Sequence, residues 1–94
     1  MGKVETLLKA VEKVFNVRMK DVLAMIRTRS TSDARMVICK VCHDEYDMSN
    51  EVIGRLIERN HQTVSYNLVC HTKKMANDAE YVNKYNKVLN EIHQ

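Results

Sequence analysis

The chain of 94 residues contains no proline, so nothing in it forces a break in helical periodicity of the kind a missing N–H imposes. No stretch approaches the roughly 20 consecutive apolar residues needed to span a bilayer. No apolar core precedes a cleavage site near the N-terminus, so the expected location is the cytoplasm. The three cysteines, Cys39, Cys42 and Cys70, are odd in number and indicate no disulfide framework in a reducing compartment. Charge of one sign is barely in excess: a net +3 is too mild to argue by itself for nucleic acid. No nucleophile triad or carboxylate pair stands out, because His43, Asp44, Glu45 and Asp47 sit together at a helix end and point in different directions. No catalytic function is expected.

What is present reads as helix. With 45% hydrophobic and 29% charged residues the composition is that of a folded chain, and its length fits a single domain over residues 1–94. Val4, Leu7, Leu8, Val11, Val14 and Phe15 recur at helical spacing, predicting an amphipathic helix over 4–15 with Lys3, Lys9 and Glu12 outside. Met19 to Ile26 predicts a short helix with Val22, Leu23 and Ile26 on one side. Arg27-Thr28-Arg29-Ser30-Thr31-Ser32 has no apolar residue and reads as an exposed basic loop, with Thr31 and Ser32 both placed to cap the next helix. Residues 33–46 carry Ala34, Val37, Ile38, Val41 and Cys42 on one face, the pattern of a buried central helix. Across residues 24–43, Arg27, Arg29, Arg35 and Lys40 face only Asp33, so the basic charge is local.

The most informative segment lies between Val52 and Val64. Ser49 is placed to cap a helix over 50–58 with Val52, Ile53, Leu56 and Ile57 on its apolar face, and Gly54 admits a neighbouring backbone. Asn60 is placed to cap the next helix, in which Val64, Leu68, His71 and Met75 share a packing face while His61, Gln62, Ser65 and Val69 turn elsewhere. Two short helices joined tightly, the second opening on His61, Gln62, Thr63 and Ser65, form a helix-turn-helix signature, in which the start of the second helix presents side chains to base edges. Asn77 or Asp78 caps a last helix with an apolar stripe of Tyr81, Val82, Tyr85, Val88, Leu89 and Ile92. Cys39-Lys40-Val41-Cys42-His43 matches the haem-attachment pattern, and Cys70-His71 would extend it to four metal ligands. Export is not indicated and the cysteines extend a helical apolar stripe, so small core residues explain them better. Neither a cofactor nor a metal is expected.

Taken in order, Asp21-Val22-Leu23, Arg27-Thr28-Arg29-Ser30, Arg35, Ile53-Gly54-Arg55 and Arg59-Asn60-His61 with Thr63-Val64 make the chain resemble the C-terminal DNA-binding domain (domain IV) of the bacterial replication initiator DnaA. The resemblance covers nearly the whole length. It implies an all-α fold of about six helices with a TrpR-like helix-turn-helix unit. It further implies binding to double-stranded DNA at an A·T-rich, DnaA-box-like site, in replication initiation or its regulation. By the same match Arg27 enters the minor groove, and Asn60, His61, Gln62 and Thr63 meet bases or phosphates in the major groove. Arg29, Arg35 and Arg59 hold phosphates, with Thr28, Ser49 and Ser65 also at the interface. The physics is compatible, since a narrow A·T-rich minor groove attracts arginine and phosphate contacts set register without reading sequence.

Three positions depart from the family pattern. Gln62 replaces a small or hydroxyl residue, Ala34 stands where proline is common, and Met36 replaces a polar residue. The longer Gln62 amide suits an adenine edge and predicts an altered preference at one base pair. No Gly-rich phosphate loop with Lys-Ser or Lys-Thr occurs, so the nucleotide-driven motor of an initiator is missing. The expectation is either a piece of a longer initiator or a stand-alone regulator or competitor, monomeric for want of a sustained heptad. The rival reading is a helical protein-interaction module presenting Tyr81, Tyr85, Val88 and Ile92.

Overall fold

In the computed structural model, which describes residues 2–24, 26 and 28–94, the described residues form six helices and no strand. These are α1 (Lys3–Phe15), α2 (Met19–Leu23), α3 (Arg29–Asp44), α4 (Asn50–Ile57), α5 (His61–Asn77) and α6 (Ala79–Ile92). Helix α3 runs through the centre and packs on α1, α2, α4 and α5, while α6 closes the far side against α1 and α5. The reason is its apolar stripe: Ala34, Val37, Ile38, Cys39, Val41 and Cys42 are all fully buried. Leu7 and Val11 from α1, Val22 from α2, Ile53 and Ile57 from α4, Val64 from α5, and Tyr81 and Val88 from α6 complete one shared core. The α6 stripe is therefore spent on packing.

The helix starts follow their caps. Ser49 Oγ accepts from Val52 N–H at 3.3 Å, Asn60 Oδ1 from Thr63 N–H at 2.8 Å, and Asp78 Oδ1 from Tyr81 N–H at 3.1 Å. Each side chain occupies an amide that the helix itself leaves unpaired. Asp78, rather than Asn77, caps the last helix.

One boundary differs from the sequence expectation. The basic stretch is helical from Arg29 onward, and its cap is Thr28 rather than Thr31 or Ser32. Thr28 Oγ1 accepts from Thr31 N–H at 3.2 Å, and Thr28 N–H donates to Thr31 Oγ1 at 3.1 Å. This reciprocal capping box uses a threonine where glutamate or glutamine is usual, so the pattern was not recognisable beforehand. Thr31 is buried, which a solvated loop would not have required. Helix α2 also ends earlier than Ile26, at Leu23.

The buried cysteines are core side chains. Burial pushes the Cys39 thiol up to about 12 and the Cys42 thiol up to about 11, the opposite of what a thiolate ligand needs. Among the described residues no group of three or more His, Cys, Asp or Glu is arranged to hold a metal ion. No described helix is long and apolar enough to cross a membrane.

Candidate nucleic-acid interface

The joint between α4 and α5 is built by backbone. Glu58 ends α4 in the left-handed region at φ 58°, with its N–H directed to the carbonyls of Arg55 and Gly54. Arg59 N–H reaches back to the Gly54 carbonyl at 2.8 Å. This pair of bonds is a Schellman closure, which satisfies carbonyls at the helix end and reverses the chain within three residues. Asn60 then starts α5 at once, so the two helices are held at a fixed angle.

Beyond that joint α5 presents its first turn to solvent. Asn60, His61, Gln62 and Ser65 are exposed and Thr63 is half-buried. Thr63 Oγ1 also donates to Asn60 Oδ1 at 3.1 Å, so the Asn60 carbonyl oxygen is committed to the cap and its amide nitrogen is the end left to act outward. Ser65 Oγ accepts from Asn50 Nδ2 at 3.0 Å and donates to the His61 carbonyl at 3.3 Å, tying α5 to the start of α4. Ser49 is exposed at that same start.

The opposite face is anchored by polar groups as well as apolar ones. Asn67 is buried and donates to the Thr63 carbonyl at 2.9 Å. His71 is 3% exposed, lies 2.7 Å from the Tyr81 hydroxyl through Nδ1, and meets the rings of Tyr81 and Tyr85 edge-on. Burial first, then the nearby Lys40 charge, presses its pKa to about 4 against a partial opposing effect of Asp44, so the ring is neutral and shares a hydrogen bond with the phenol. Sequence periodicity placed His71 on this face, and Asn67, three residues after Val64 and four before His71, falls on it by the same spacing although its polar side chain was not read as a packing residue.

The arginines are distributed unequally. Arg27 lies outside the described residues. Thr28 beside it is exposed and acts as the α3 cap. Arg29 is 60% exposed and already paired, with Nη2 at 2.8 Å from Asp78 Oδ2 and Nε at 3.8 Å from Asp33 Oδ2. Lys74 joins the same carboxylates, at 2.8 Å from Asp33 and 3.6 Å from Asp78. Arg35 and Arg59 are half-buried and turned onto main-chain carbonyls of the α2 end and the segment after it. The structure thus brings Asn60, His61, Gln62 and Thr63 together on one helix start. Arg29 stands apart, near the other end of α5.

Two exposed side chains on α5 were not among the expected interface residues. Tyr66 is 70% exposed and Val69 53% exposed, and both continue the outward side of the helix from Gln62 at intervals of four and three residues. Helical spacing from Gln62 was the signal that identifies them.

The model of the family described as the bacterial DnaA protein helix-turn-helix matches residues 4–69, which run from α1 into the middle of α5. No curated protein matches the chain. The match covers the α2–α3 junction, the central helix, the Schellman-closed turn and the exposed start of α5, so the protein belongs to the bacterial DnaA helix-turn-helix family, a family of DNA-binding domains.

Proposed function

We propose that this protein reads an A·T-rich, DnaA-box-like duplex, with the start of α5 in the major groove and Arg27 in the adjacent minor groove. The observation that carries the reading is the exposed first turn of α5, on which Asn60, His61 and Gln62 offer hydrogen-bonding groups beside unpaired helix-start amides. The longest dimension, 31 Å, is close to one turn of duplex, about 34 Å, so a single copy can reach a major groove and the minor groove next to it. The core shared by all six helices supports treating residues 1–94 as one binding module. Thr28, Ser49 and Ser65 lie at the helix starts beside the contact and Arg29 lies apart from it, near the far end of α5, each placed to set register on the phosphates. The module acts in the cytoplasm as a monomer without catalysis, in replication initiation or its regulation, either within a longer initiator or as a stand-alone occupant of the same sites.

Fluorescence anisotropy against a DnaA-box duplex and a scrambled duplex, at two salt concentrations, tests this. The box duplex is expected to bind more tightly. Arg27→Ala and His61→Ala should each lower box affinity roughly tenfold, the discrimination one good base contact provides. Binding should weaken steeply with salt as phosphate contacts release counterions. Equal affinity for the two duplexes overturns the box reading and leaves general DNA binding standing; affinity that ignores salt overturns the phosphate contacts.

The Asp78 carboxylate pairs with the Arg29 guanidinium, so a phosphate contact by Arg29 requires that pair to open. Asp78→Asn retains an oxygen for the α6 cap and leaves Arg29 with its longer pair to Asp33, at 3.8 Å. Affinity for both duplexes is expected to rise about two- to fivefold, the scale of one exposed ion pair, and Arg29→Ala should abolish the gain. A gain that survives Arg29→Ala would show that Asp78 acts by general repulsion instead.

A further inference from the structure

Helix α2 has five residues, too few to be stable by itself, and its C-terminal carbonyls have no continuing turn to pair with. Two arginines from distant parts of the chain supply the missing donors. Arg35, on α3, donates from Nε to the Val22 carbonyl at 2.7 Å and from Nη2 to the Ile26 carbonyl at 2.7 Å, with a longer approach to Ala24 at 3.5 Å. Arg59, in the turn before α5, donates from Nη1 to the Leu23 carbonyl at 3.1 Å and from Nη2 to the Ala24 carbonyl at 2.9 Å. The same Arg59 Nη1 also meets the Ile57 and Glu58 carbonyls at 3.3 Å and 3.0 Å, so the guanidinium bridges the end of α4 to the end of α2. A cation is favoured at a helix C-terminus, and the planar fork of arginine can serve two carbonyls at once.

The neighbours of Arg27 are consequently held on both sides. Ile26 is fixed through its carbonyl by Arg35 and by the Thr31 hydroxyl at 3.1 Å, and Thr28 is fixed by its capping box with Thr31. We infer that Arg35 and Arg59 are positioning residues: they clasp the carbonyls of Val22, Leu23, Ala24 and Ile26 to the helix-turn-helix joint, so that the backbone leading to Arg27 is tied to the start of α5 when the protein meets DNA. Their guanidinium groups are spent on the protein's own carbonyls, not on phosphates. This role rests on the proposed two-groove reading for its effect on DNA, and on the clasp geometry alone for its effect on the free protein.

The experiment has two readouts. In the free protein, hydrogen exchange of the peptide spanning residues 19–28 is compared with peptides from α1 and α6 in wild type, Arg59→Gln, Arg35→Gln and the charge-retaining Arg59→Lys. The clasp predicts exchange about tenfold faster in 19–28 alone, since loss of a local hydrogen-bonded contact opens its own segment first. Unchanged exchange in that peptide, or equal acceleration in all three, overturns the proposal. With DNA, Arg59→Lys is expected to lower the ratio of box to scrambled affinity about tenfold at an unchanged salt slope, and to cost nothing further in an Arg27→Ala background. Retention of the ratio in Arg59→Lys, or an equal additional loss in the Arg27→Ala background, identifies a phosphate contact and overturns the proposal. Should wild type itself fail to prefer the box, the two-groove reading falls while the exchange measurement still decides the clasp.

Discussion

Gly54→Ala is expected to destabilise the fold by about 2 kcal/mol and lower the melting temperature by roughly 10 °C. A Cβ at this position would stand 2.5 Å from the Arg59 carbonyl oxygen and 3.4 Å from the Asn60 carbonyl carbon. Both are backbone atoms, so no side-chain rotation can relieve the clash. The glycine is needed for this close approach and not for an unusual φ, since no glycine here has positive φ. In an open helix the same exchange would add up to about 1 kcal/mol of helix propensity, whereas overpacking a tight contact costs about 3 kcal/mol at its upper range, and the balance is unfavourable. The displaced carbonyl belongs to Arg59, whose guanidinium and N–H both fasten the joint, so duplex binding should fall with stability. Urea denaturation of the variant decides the matter: an alanine protein as stable as wild type would mean that α5 shifts without penalty and that the joint is not rigid.

Acidification from pH 6.5 to about 4 is expected to remove about 3 kcal/mol of stability through His71 alone, taking 1.36 kcal/mol per pH unit between the free and buried pKa values. The folded chain holds the ring neutral down to about pH 4, whereas the unfolded chain protonates it near 6.5. In the interval between them the unfolded state binds the extra proton, so the contribution is complete above pH 6.5 and is lost as the pH falls. The lowered carboxyl groups of Asp44, held down chiefly by His43, and of Asp78, held down chiefly by the Tyr81 N–H, respond only below their ordinary 3.8. The two windows are therefore separable by thermal melts at intervals of half a pH unit. Removing the buried pair together, as His71→Leu with Tyr81→Phe, avoids leaving an orphaned hydroxyl and should flatten the upper window. An unchanged pH profile in that double variant would place the acid sensitivity elsewhere.

Much of the site was legible because its determinants are local. Ser49, Asn60 and Asp78 cap the helices that their positions predicted, since a cap needs only its own side chain and the amides two or three residues ahead. The exposed His61, Gln62 and Ser65 and the buried Val64 and His71 follow from helical periodicity in one segment. The start of α3 was misplaced because Thr28 and Thr31 pair in a capping box that only the burial of Thr31 reveals.

The sequence by itself determined the six apolar stripes, the all-α class, the helix-turn-helix joint with its close-approach glycine, and membership of the DnaA helix-turn-helix family. The tertiary structure alone decided which protein groups Arg29, Arg35 and Arg59 meet. Arg35 and Arg59 point at carbonyls of α2 and the segment after it, and Arg29 at Asp78, across separations of 9 to 49 residues. Guanidinium groups are identical in sequence, and local spacing assigns them no partner. Their roles are set by which unpaired carbonyls and carboxylates the packed helices bring within hydrogen-bond reach.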